Sequence, residues 1–190
     1  MAPYTVNLKT VSDVLLAKKA RLTIVIGEAC NDKLAVDDEP QNGETFNTMK
    51  APLIDKARYK RLFVHASGSL VMWSSQTGQP SYISPTKGGA FTQGFLTALA
   101  AQTAKENDDD ITTTSWSKVL EGTINNTQTL AKKNKLQYVQ NPKFTITNKL
   151  RYYTPPPDDE AGKRKRYGFL TWVVGLVAPN PKCHLPIKPV

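Results

Sequence analysis

Hydrophobic positions along this chain switch between helical and strand periods in an order that suggests an architecture. From Thr10 to Lys19, Val11, Val14, Leu15 and the stem of Lys18 share one helical face, with Thr10 or Ser12 as cap, which predicts a short amphipathic helix. Arg21-Leu22-Thr23-Ile24-Val25-Ile26-Gly27 is β-branched and continuously apolar in its middle, the pattern of a central strand covered on both faces. Residues 31–47 are acidic and turn-rich, with Asp37-Asp38-Glu39-Pro40 and Asn42-Gly43, and read as an exposed loop. Lys56 to Arg61 is basic and reads as surface, leading to a second strand over Ser69-Leu70-Val71-Met72-Trp73-Ser74. After a loop-like stretch from Ser75 to Gly89, Phe91, Phe95, Leu96 and Leu99 recur at helical spacing to about Lys105. Another helix, capped by Thr114 or Ser115, buries Trp116, Val119, Leu120 and Ile124. Strand, helix, strand, helix predicts an α/β domain.

Beyond Pro142 the pattern changes. Pro155-Pro156-Pro157, the acidic Asp158-Asp159-Glu160 and the basic Lys163-Arg164-Lys165-Arg166 set a final apolar segment, Tyr167 to Val177, apart from the body. The organisation read from this is a domain over 1–145 and a basic, proline-rich tail of unknown role over 146–190. A chain of 190 residues buries enough surface to fold without disulfides or metals, and 39% hydrophobic with 22% charged residues excludes disorder, collagen and coiled coil. The longest apolar run, Phe169 to Ala178, is about half the roughly 20 residues a spanning helix needs, so no membrane span is expected. Met1 to Lys9 does not read as a secretion signal, and the expected location is cytoplasmic. The net charge of +9 is concentrated in the tail, whose four-residue basic run suits an anionic partner but reads first as a solvated segment. Nucleic acid therefore ranks last among partners, and no pattern sets an oligomeric state.

Cys30 closes the first strand where the chain turns out into the long loop. In open α/β sheets ligands bind outside the carboxyl ends of the strands, where a nucleophile would sit, although free cysteine there also serves as a small apolar filler. Cys30 and Cys183 lie in no metal-type spacing. His65 reads as a surface or capping residue, and His184, beside Cys183, forms too small a pair for a metal site. Ala66-Ser67-Gly68-Ser69 is not a Gly-x-Ser-x-Gly elbow, which removes a serine hydrolase from consideration.

Three segments in order carry a resemblance. Ile24-Val25-Ile26-Gly27-Glu28-Ala29-Cys30-Asn31-Asp32 resembles the strand that presents the catalytic cysteine in caspases and metacaspases, with an acid or amide two residues before it. Ser69 to Gln79 looks like that family's next strand and substrate-binding loop, and Gly88-Gly89-Ala90-Phe91-Thr92 is similar to its Gly-Gly-x-Phe-Thr helix start. The resemblance covers about residues 1–145.

It implies a three-layer caspase-like sheet with flanking helices, lacking the family's first strands, and a cysteine endopeptidase acting on protein or peptide substrates. Cys30 would be the nucleophile, since the thiolate attacks the scissile carbonyl and a neighbouring imidazole moves the proton. The family's base histidine precedes the cysteine strand, and none of the 29 residues before Cys30 is histidine, so the general base is expected outside this chain and the isolated fragment is expected to be inactive. Glu28 matches a position lining the first substrate pocket, where a carboxylate selects Arg or Lys over Asp. Ser74 aligns with the pocket serine. As ordinary residues, Glu28 would be a partly solvated strand-end carboxylate and Ser74 a hydroxyl bonded to backbone. The resemblance also implies self-processing in the loop after Cys30, near Lys50, Lys56, Arg58, Lys60 and Arg61. No cofactor is required; calcium, on which some metacaspases depend, would have to use Asp37-Asp38-Glu39 or Asp108-Asp109-Asp110, which lack the alternating spacing of a calcium loop. The alternative is a non-catalytic interaction module on a degenerate caspase fold, followed by an anion-binding protein working through the tail.

Overall fold

The computed structural model describes residues 8–28, 53–84, 88–133, 140–153 and 171–175. Helix α1 (Leu8–Ala17) leads into strand β1 (Leu22–Gly27), helix α2 (Lys56–Phe63) and strand β2 (Ala66–Trp73). A two-residue ladder of β3 (Ile83–Ser84) and β4 (Gly88–Gly89) precedes helix α3 (Ala90–Thr103), helix α4 (Trp116–Lys133), and strands β5 (Lys143–Tyr152) and β6 (Thr171–Gly175). The main sheet has the order β5-β2-β1-β6. β1 runs parallel to both neighbours, in the registers Gly27↔Trp73 and Gly27↔Gly175, while β5 pairs antiparallel with β2. This is the expected α/β arrangement.

Successive side chains of β1 point to opposite faces. Leu22 and Ile24 join Leu70 and Met72 of β2 in a core with Leu62 and Phe63 of α2, Phe91, Phe95 and Ala98 of α3, and Trp116, Val119 and Leu120 of α4. Gly27, on the other face, lies against Leu8 of α1. The sheet thus separates α1 from the three other helices. Trp116 is wholly buried, donates its indole N–H to Leu62 O at 2.9 Å and meets Phe63 edge-on at 5.2 Å between ring centroids. The Ser115 hydroxyl accepts the Lys118 N–H at 3.3 Å, so one of the two expected caps opens α4.

Four expectations need correction. α1 is rotated from the predicted face: Ser12 is buried and donates to Lys9 O at 2.7 Å, while Val14 is 56% exposed, because the face built on Leu8 is the one that meets β1. Leu96 of α3 is also exposed, and Ala98 takes its place inside. The expected boundary at 145/146 falls within β5, and the apolar segment read as separate from the body contributes β6 beside β1, because a parallel central strand pairs on both edges. The basic segment around Arg58 is helical rather than a loop open to processing; Lys50 and the acidic loop lie outside the described residues.

α2 is basic for a structural reason. Asp55 caps it by accepting the N–H groups of Ala57 at 2.7 Å and Arg58 at 3.3 Å. Arg58 is 4% exposed and donates to Thr114 Oγ1 at 2.8 Å, to Asn107 O at 2.7 Å and to Asp109 O. Arg61 donates to Thr112 O at 2.7 Å and Thr114 O at 2.9 Å, and its guanidinium lies 4.8 Å from the centre of the Tyr152 ring. Two arginines one turn apart therefore bind the connection between α3 and α4. We predict that Arg58→Leu, which leaves these acceptors unpaired, lowers stability by about 3 kcal/mol in urea denaturation. Lys60→Ala, on the exposed side of α2, should stay within about 0.5 kcal/mol of the parent chain.

Candidate active site

The carboxyl ends of β1 and β2 place Glu28 and Ser74 side by side, since Gly27 pairs with Trp73 and the Ser74 N–H donates to Gly27 O at 3.0 Å. Glu28 is 7% exposed. Its carboxylate reaches the amino terminus of α3, where Oε2 accepts the Thr92 hydroxyl and the backbone N–H groups of Thr92 and Phe91 point at the same group. A helix start leaves its first N–H groups without intrahelical partners, and the cap residue here, Gly89, has no side chain to serve them. Glu28 supplies the missing acceptor from the carboxyl end of β1, where its charge also complements the positive end of the helix dipole.

That arrangement explains the glycine pair. A Cβ on Gly89 would overlap the Glu28 carboxylate, so the close approach requires glycine. Burial pushes the Glu28 carboxyl above its ordinary value of 4.5, against the opposing pull of the Thr92 hydroxyl and the Thr92 and Phe91 N–H groups. Oε1 is buried with no partner among the described residues. The site thus holds a desolvated carboxylate with one oxygen anchored and the other open to a donor.

Ser74 is wholly buried, and its surroundings are fixed by a residue that periodicity passes over. Gln140, also wholly buried, donates to Ser74 O at 2.9 Å and Ser81 Oγ at 3.2 Å, and its Oε1 accepts the Tyr82 N–H at 3.0 Å. Asn141 N–H donates to Gln79 Oε1 at 3.0 Å, so the segment after β2 is tied to the start of β5 at several points. Thr92 and Gly89 entered the sequence reading only as part of the Gly-Gly-x-Phe-Thr helix start, with no role beside Glu28, and Gln140 was not singled out. Gly-Gly directly before an uncapped helix was the available signal for the first two, whereas a lone glutamine before Pro142 carries none.

Cys30, two residues beyond Glu28, lies outside the described residues, as do Cys183 and His184. His65 is described and stands at the opposite end of the sheet, before Ala66 of β2. Eight residues at about 3.3 Å each separate it from Trp73, about 26 Å along the strand. Its N–H donates to Lys60 O at 2.7 Å and its carbonyl accepts the Tyr153 N–H at 2.7 Å, the capping role expected of it. Burial, then Lys60 and Arg21, hold the imidazole below its ordinary value of 6.5. His65 is no partner for a group at the Glu28 end.

The acidic run before α4 is occupied by local contacts. Asp109 pairs with Lys118 at 3.1 Å, and Asp110 accepts the Thr112 N–H at 2.8 Å at the start of a single 3-10 turn over Ile111–Thr113. Among the described residues no three His, Cys, Asp or Glu side chains converge as a metal site. Nor, among those residues, is any helix long and apolar enough to cross a membrane.

The family model of the C14 peptidases, described as Caspase domain, matches residues 4–153. The chain belongs to the caspase-domain family. Neither the curated proteins nor the solved structures contain a match to it. Membership carries cysteine peptidase chemistry on protein substrates as the family's activity, and the matched span includes β1, β2, the Glu28 carboxylate and the α3 start it caps.

The anchored carboxylate makes two predictions. Gly89→Ala should cost about 1–3 kcal/mol in chemical denaturation by forcing Glu28 off α3. Because the folded carboxyl titrates above 4.5, the folded state binds more protons than the unfolded state between the two values, so this group's contribution to stability falls as pH rises through that window. Thermal melts of Glu28→Gln against the parent chain should show that part of the slope removed.

Proposed function

We propose that this caspase-domain chain carries the nucleophile half of a cysteine endopeptidase that cleaves after Arg or Lys. Cys30 is the nucleophile, Glu28 and Ser74 line the pocket for the basic side chain, and the general-base histidine comes from outside these 190 residues. The observation that supports this most is the buried Oε1 of Glu28, which has no partner among the described residues. A guanidinium or ammonium group brought there would complete a charge-assisted pair, whereas an Asp side chain would place a second carboxylate in the same desolvated space.

The chemistry follows from the residue types. The Cys30 thiolate adds to the scissile carbonyl, the oxyanion is held by N–H donors that include its own backbone, and the carbon–nitrogen bond breaks as the base returns the proton to the leaving amine. Water then releases the acyl group and restores the thiol. Without an imidazole the thiol is largely protonated at neutral pH and the leaving amine lacks its proton donor.

The position of His65 favours a second reading, a caspase-fold interaction module that lost its dyad, and one experiment separates the two. The chain is incubated with fluorogenic peptides ending in Arg or Asp, with and without added imidazole. Peptidase chemistry predicts imidazole-dependent turnover of the Arg peptide, at least about tenfold faster than the Asp peptide, absent from Cys30→Ala. Folded protein with no turnover in either condition would overturn the peptidase reading in favour of the interaction module. Turnover without imidazole that disappears in His184→Ala would overturn the placement of the base outside the chain.

A further inference from the structure

At the amino ends of β1 and β2, opposite the Glu28 site, a cleft of about 420 Å3 opens between the end of α1 and the far end of β5. Lys19, Arg21, Lys149 and Arg151 line it, with the Ser67 and Tyr153 hydroxyls beside them and no acidic side chain among the described residues. We propose that this cleft is a binding site for a phosphate-bearing small molecule.

Each cation is placed by the fold. Leu150 and Tyr152 of β5 pack toward the core, so strand alternation puts Lys149, Arg151 and Tyr153 on the other face, toward the cleft. Lys19 sits just past α1 with a left-handed φ of 51°. A bulge shapes the floor: pairing between β2 and β5 shifts register on either side of Ser69, and Gly68 adopts φ 126°, with Lys149 O and Asn148 O 2.9 and 3.0 Å from where a Cβ would stand. Bulges of this kind re-aim side chains beside functional sites.

Among the described residues no carboxylate pairs with these charges. Arg21 donates through Nη2 to Phe63 O at 2.9 Å, but its Nε and Nη1 are buried without partners among the described residues. A guanidinium left that way is costly, and the neighbouring cations repel it further. A tetrahedral phosphate offers several acceptor oxygens and up to two negative charges, which suits cations converging from the α1–β1 connection and from β5. The volume leaves room for an attached organic group, within the range of small-molecule sites.

Calorimetric titration of the full chain with inorganic phosphate and pyrophosphate, against chloride at matched ionic strength, tests the site. Saturable binding of one equivalent is expected, tighter for pyrophosphate. The double variant Lys149→Gln, Arg151→Gln alters only exposed side chains and should weaken it by about tenfold or more while leaving the circular dichroism spectrum unchanged. Replacing Lys163, Arg164, Lys165 and Arg166 by Gln should change it by less than about twofold. Absence of saturable binding, or loss in the tail variant and not in the cleft variant, would overturn the proposal. Neither result depends on peptidase activity.

Discussion

A single buried carboxylate joins the sheet to the helical layer at the end where the candidate chemistry lies. Glu28 leaves β1 and ends on the first turn of α3, whose own cap residue has no side chain. The two sides need each other: without Glu28 the α3 N–H groups lose their acceptor, and without glycine at 89 the carboxylate loses its space. Desolvating a carboxylate is expensive, and three hydrogen-bond donors offset only part of it, which is why its pKa remains raised. The resulting group is held rigidly, dry and incompletely satisfied. Those are the conditions under which a carboxylate discriminates between ligand charges most strongly.

The rest of the helical layer keeps that end of the sheet in place. Arg58 and Arg61 bind the chain between α3 and α4, and Tyr152 of β5 accepts the Trp116 N–H at 2.6 Å where α4 begins. Trp116 in turn bonds the end of α2. β5, α2 and α4 are thereby linked through one buried tryptophan and the two arginines, so α3 meets Glu28 from a fixed direction. Basic residues that looked like surface are the connectors. Burying a guanidinium is tolerated because backbone carbonyls and a hydroxyl surround it at fixed positions.

Legibility in the sequence followed the source of each element's stability. β1, β2, α3 and α4 are held mainly by apolar burial, and their periodicity revealed them together with Phe91, Phe95, Trp116 and Val119 as core. The pair of Glu28 and Ser74 was legible too, but through resemblance, because periodicity alone does not say which strand ends meet. β5 was missed although its sequence alternates, with Phe144, Ile146, Leu150 and Tyr152 set between Lys143, Thr145, Thr147, Lys149 and Arg151. The alternation ran across the boundary drawn at 145, and the apolar side is only partly covered, Phe144 and Ile146 remaining exposed. β6 was seen as apolar but separated from the domain by the proline and charge runs before it, which say nothing about where a strand later pairs. The cleft at the other end was invisible because its cations come from two stretches distant in sequence, 19–21 and 149–151, brought to one end of the sheet by the β1–β2 and β2–β5 pairings.

The two ends of β1 therefore carry opposite charge problems. Among the described residues, Arg21 at one end has guanidinium donors without an acceptor, and Glu28 at the other has a carboxylate oxygen without a donor. Seven residues separate them, about 23 Å along the strand, several times the Debye length of about 8 Å at physiological ionic strength. The two charges cannot relieve each other through space, and each must be answered locally. Influence of one site on the other would have to travel through packing, and β1 is the element suited to it, with strands paired on both sides and its interior side chains buried. Such a strand shifts as a unit or not at all. A ligand that tightened the amino end without moving β1 would stabilise the domain and leave the Glu28 carboxylate unchanged, whereas one that displaced β1 would alter the angle at which Glu28 meets α3.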